Sequence, residues 1–128
     1  MSNNNMKKTI MEVFRFENPN TQAGMWYNNK GELDPFITKL TDGKAKSLPM
    51  PFNPLQKKDG KDWYSGVDSH ESFVYWFSEQ DIKELLAAGY ILYRFVVTEY
   101  QVLETEVLFT RESIIEQDWA IANSMNKP

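Results

Sequence analysis

The stretch YILYRFVVTEY, residues 90–100, constrains the fold more than any other part of the chain. It is apolar at almost every position, with Arg94, Thr98 and Glu99 as exceptions, so neither face of an extended strand here can be left to water. A strand buried on both faces lies centrally in a sheet and needs covering layers on both sides. Such a strand needs neighbours. TIMEVFRFEN (9–18) alternates, with Met11, Val13 and Arg15 on one face and Glu12, Phe14 and Phe16 on the other, and it stops at Asn18-Pro19-Asn20. QVLETEVLF (101–109) reads as the next strand, with Leu103, Val107 and Phe109 turned to the core.

Helical spacing appears twice between these strands. Asp68 or Ser69 can cap a short helix with Glu71 at the position a capping box wants, and Phe73, Trp76 and Phe77 then form an i, i+3, i+4 stripe. Ser78 caps a second helix in which Ile82, Leu85 and Leu86 repeat the spacing, and Gly89 suits the left-handed position that stops it. A third helix is predicted from Thr110, with Ile115, Trp119 and Ala122 on one face and Ile114 and Ile121 beside them. Residues 25–27 are a short aromatic run before a predicted NNKG hairpin turn. Residues 38–62 hold three prolines and two Asp-Gly pairs with little periodicity, which predicts a long functional or core-covering loop. The expectation is one α+β domain over 9–124, a mainly antiparallel twisted sheet with two to three short helices, behind a disordered segment 1–8.

Composition narrows the chemistry. At 128 residues, 41% hydrophobic and 14% aromatic, the chain has material for a real core. A net charge of −4 without a basic stripe argues against nucleic-acid binding through phosphates. The absence of cysteine removes disulfides, thiolate metal sites and a cysteine nucleophile, and a lone histidine, His70, removes His-rich metal centres. No apolar run approaches the roughly 18 residues of a membrane span, so a non-membrane protein is expected. Neither a nucleophile elbow nor a phosphate-cradling glycine loop occurs.

Two glutamates invite a catalytic reading. Glu104 and Glu106 are two apart, so a continuous strand would place both on one face. Carboxylates held together raise one another's proton affinity, and a nearby guanidinium from Arg15 or Arg94 opposes that. The plainer reading makes them the wet face of a strand, ion-paired across the sheet. His70 falls at a helix start, where an exposed histidine is commoner than a general base.

Two resemblances add to this. ETEVLF is similar to the Glu-x-Glu strand of the Arg-Ser-Glu mono-ADP-ribosyltransferases, and VFRF resembles their first strand. The resemblance implies NAD as cofactor, Arg15 on its phosphates, Glu106 on the nicotinamide ribose and Glu104 preparing the acceptor. The family's Ser-Thr-Ser motif is unmatched; only YSGVDS, ending in Ser69, stands in its place. More broadly, VFRF, LPMPFNPL, GVDS, YWF, AAGYILYRF and EVLF occur in the order found in small accessory proteins of T-even-type coliphages. That resemblance implies a phage accessory protein of the host cytoplasm. The expectation is binding without catalysis and without a cofactor or metal, to a host protein or a nucleotide-like small molecule, with Arg15, Arg94, Tyr27 and His70 as candidate ligand contacts. An NAD-dependent transferase acting on a host target is the alternative.

Overall fold

A computed structural model describes residues 9–24, 39–42 and 60–119. The expectations for segment 1–8, the 25–27 run with Tyr27, the hairpin after it, most of the 38–62 loop and Ile121–Ala122 lie outside those residues. Among the described residues six strands and two α-helices follow in order: β1 (Met11–Glu17), β2 (Tyr64–Gly66), α1 (His70–Trp76), α2 (Glu79–Ala87), β3 (Ile91–Val97), β4 (Tyr100–Val102), β5 (Val107–Phe109) and β6 (Ile114–Trp119). They form two three-stranded antiparallel sheets, ordered β1-β3-β6 and β2-β5-β4. The α+β class expected from the sequence is the class observed.

β3 is the central strand, and its two faces serve two cores. Leu92 joins Phe16 of β1, Phe73 and Trp76 of α1, and Ile82 and Leu85 of α2 on the helix side. Tyr93, Phe95 and Val97 join Val13, Val107 and Phe109 on the side of the smaller sheet. The register fixes this division, since Val13 pairs with Phe95 and Phe16 with Leu92, and partners across a ladder share a face. The sheets meet where Phe14 and Val67 exchange backbone hydrogen bonds of 2.8 and 2.9 Å. Only glycine permits that approach at position 66, where a Cβ would stand 2.3 Å from Val13 Cγ1 and 2.8 Å from the Phe14 carbonyl oxygen.

Local chemistry sets the helix ends. Ser69 caps α1 by accepting from the Ser72 amide at 3.2 Å, so Ser72 occupies the position that was expected of Glu71. Ser78 and Asp81 form a reciprocal capping box on α2, which accounts for a fully buried aspartate. Gly89, at φ +97°, ends α2 as predicted: its amide reaches the Leu86 carbonyl while that of Tyr90 reaches Leu85. Leu86 is exposed and does not join the stripe of Ile82 and Leu85. The start of the long loop docks on α2, with Leu40 buried, Thr41 bonded twice to Glu84, and Asp42 accepting from Ser78.

Two predicted elements take another form. QVLETEVLF is a hairpin: β4 and β5 pair through Val102 and Val107, and the Leu103 amide donates to the Glu106 carbonyl at 2.8 Å across Glu104 and Thr105. Leu103 therefore lies in the exposed bend, while Val107 and Phe109 are buried as expected. The helix predicted from Thr110 is a 3-10 turn, Arg111–Ser113, followed by β6. Pairing with β3 through Tyr93–Trp119 and Arg94–Asp118 draws the segment out straight, and Ile115 and Trp119 end exposed.

Candidate functional site: a two-arginine cluster

Arg15 and Glu17 project from β1 on the face turned to the smaller sheet, two residues apart as the pleat requires. The Arg15 Nε donates to Glu17 Oε2 at 2.7 Å, and its Nη1 donates to the Ser65 carbonyl of β2 at 2.8 Å. Glu17 is almost fully buried, and Arg111, on the 3-10 turn, reaches the same Oε2. Tyr64 lies beneath both cations: the Arg15 guanidinium carbon is 5.4 Å from its ring centre and that of Arg111 is 4.7 Å away. Arg111 also stands 5.7 Å from the Phe95 ring centre and donates to the Gln22 carbonyl at 3.4 Å. Gly24 closes over Arg15, leaving only 3.0 Å from a would-be Cβ to Nη2.

Charge is unbalanced here. Among the described residues, two guanidiniums share one carboxylate. Burial pulls the Arg15 guanidinium below its ordinary value; the Glu17 carboxylate opposes that shift and the Arg111 charge adds to it. An arginine nonetheless stays protonated in a folded protein, so among the described residues the cluster carries one unmatched positive charge. Its solvent-facing member is Arg111, whose side chain is 20% exposed against 10% for Arg15.

The remaining candidates stand elsewhere. Arg94 points to the opposite face of the sheet from Arg15, as the pairings Phe14–Arg94 and Arg15–Tyr93 require. Glu12, Glu116 and Asp118 surround it, and its hydrogen bonds to Glu116 and Glu12 raise its pKa above the ordinary value. Ser69 and His70 open α1. Glu104 lies in the β4–β5 bend and Glu106 just before β5, so no strand holds them on a common face. The bend is tied to α1 by a 2.7 Å hydrogen bond from Trp76 Nε1 to the Thr105 carbonyl. The hydrogen bonds of Arg15 go to Glu17 and Ser65, and neither Glu104 nor Glu106 is among its partners. Among the described residues no group of His, Cys, Asp and Glu is placed to hold a metal ion.

Sequence reasoning singled out Arg15 but not Glu17, Tyr64 or Arg111, which the structure places beside it. Arg15-x-Glu17 shows the same two-residue spacing that drew attention to Glu104 and Glu106, on a segment that does form a strand. Arg111 gave no such signal, because the turn that aims it at Glu17 was read as the first turn of a helix.

Fold and cluster together define a small α+β protein, and among the described residues no helix is long and apolar enough to cross a membrane. The family described as bacteriophage T4 Y00F protein matches it over residues 11–119, and the chain belongs to that family of phage proteins. No curated protein and no solved structure matches it. The phage resemblance of the sequence is thereby supported; the transferase resemblance finds no support in the comparisons.

Proposed function

We propose that this phage protein is an accessory protein that acts by binding, without catalysis, and that the Arg15–Arg111 cluster receives an anionic group of its target. The target is a host factor or a nucleotide-like ligand met in the host cytoplasm, and the shared chemistry is a phosphate or carboxylate. One observation carries the reading: two guanidiniums enclose a single buried carboxylate, in a chain whose overall charge is −4. Among the described residues the two guanidiniums have one carboxylate between them, and an arriving anion supplies a second counter-charge. Guanidinium forks suit the two oxygens of a phosphate or carboxylate, and the exposed side of Arg111 gives access. Tyr64 holds both cations from below, so the donors are set before the ligand arrives.

In the alternative, NAD would lie between Arg15 and the acids Glu106 and Glu104. Two arms test the binding reading and separate its sources. Calorimetric titration with ATP, pyrophosphate and citrate is expected to give saturable binding that Arg111→Gln weakens about tenfold or more if the ligand is small. Affinity capture from host lysate is expected to recover a stoichiometric protein with wild type and not with Arg111→Gln if the anion belongs to a host factor. Failure of both arms, or binding that Arg111→Gln leaves untouched, overturns the proposal.

A further inference from the structure

The outer edge of β6 presents a second, separate surface. Among the described residues β6 has one ladder neighbour, β3, and its other edge faces outward. Glu116 and Asp118 share the Arg94 face with Glu12 of β1, so among the described residues three carboxylates meet one guanidinium and two negative charges go unmatched. Both β6 acids are more than half exposed, at 57% and 54%. The opposite row ends in Trp119, in register with Tyr93 and 72% exposed, and Ile115 at the β-bulge is 60% exposed. An open ladder edge, an acidic row on one side and a bare tryptophan on the other thus occur together along six residues.

We infer that the edge of β6 accepts an extended segment of a partner protein as an added strand, one whose side chains alternate between Lys or Arg and large apolar residues. Main-chain pairing supplies affinity in this mode and the alternating side chains supply choice. The basic row of the partner lies beside Glu116 and Asp118, where opposite charges across a ladder attract. Its apolar row covers Trp119, the kind of exposed aromatic that dominates interface energetics. A second copy of this chain fits the edge poorly. Two-fold antiparallel pairing of β6 with itself puts both acidic rows on one face, where like charges across the ladder repel. The inference is independent of the anion site, because Arg94 and Arg15 point to opposite faces of the sheet.

The test uses the full chain, labelled with nitrogen-15, and three capped hexapeptides. One alternates Lys and Val, one has the same composition in two blocks, and one is the alternating peptide methylated on alternate backbone nitrogens. The alternating peptide is expected to bind saturably, with amide shifts centred on residues 114–119. Glu116→Lys with Asp118→Lys should weaken it about tenfold, and Trp119→Ala should weaken it independently. Equal binding of the block peptide, indifference to N-methylation, or shifts centred elsewhere would each overturn the inference. So would a dimer of the free protein, seen by sedimentation, that pairs through β6.

Discussion

Removing the Glu17 carboxylate leaves Arg15 and Arg111 facing each other over Tyr64 without a counter-charge among the described residues. Glu17→Ala is therefore expected to lower stability by about 3–5 kcal/mol in denaturant titration. Arg111→Gln leaves Glu17 paired with Arg15 and should cost less, about 1–2 kcal/mol, because Arg111 is partly exposed. The reverse order would show that Glu17 is not the hub of the cluster. Half of this arrangement is legible in the sequence, since Arg15 and Glu17 must share a face once β1 is a strand. The other half depends on a three-residue turn that brings position 111 back to position 17, and nothing local in the sequence encodes that approach.

Elements were legible where the pattern and the tertiary setting agree. β1, α1 and β3 have periodicities that match the faces they bury, α2 does so at Ile82 and Leu85 but not Leu86, and Ser78 and Gly89 mark its ends as read. Residues 101–109 misled because the bend at Glu104–Thr105 lacks glycine, asparagine or proline, so an alternating pattern runs through it unbroken. Residues 110–122 misled for a different reason. Ile115, Trp119 and Ala122 fit a helical face, but Ile114 is β-branched and the open edge of β3 offers a ladder that outweighs the spacing. At this scale Gly66 is the sharpest test. Gly66→Ala puts a methyl group against Val13 and the Phe14 carbonyl, where the two sheets join, and should cost about 1–3 kcal/mol in thermal or chemical unfolding. An unchanged unfolding midpoint would contradict the close approach of β1 and β2.

For the molecule as a whole, β3 stands between two cores, so damage on either side should reach the whole fold. Phe95→Ala, at a fully buried position of the second core, is expected to cost about 3–5 kcal/mol and to unfold both sheets together in hydrogen exchange. The acid side of the stability profile has a named contributor. A hydrogen bond from Lys61, and then one from Thr110, holds the Glu99 carboxyl below the usual carboxylate range. A depressed folded-state value contributes stability above the unfolded pKa of about 4.3 and loses it as pH falls through the folded value. The difference in melting temperature between wild type and Glu99→Gln should therefore be largest near neutral pH and shrink towards pH about 3. The α+β class and the family could be read from order and pattern along the chain. The charge imbalance at the centre of the functional account could not, because it depends on which arginine meets which glutamate in space.

The most direct measurement of that account follows the arginine Nε–Hε resonances of the full chain by NMR during titration with pyrophosphate. The account predicts saturable shifts confined to Arg15 and Arg111, with an apparent Kd of about 1 mM or tighter, and no movement of Arg94, whose guanidinium is already enclosed by three carboxylates. Linear, unsaturated shifts spread over Arg15, Arg94 and Arg111 alike would contradict it.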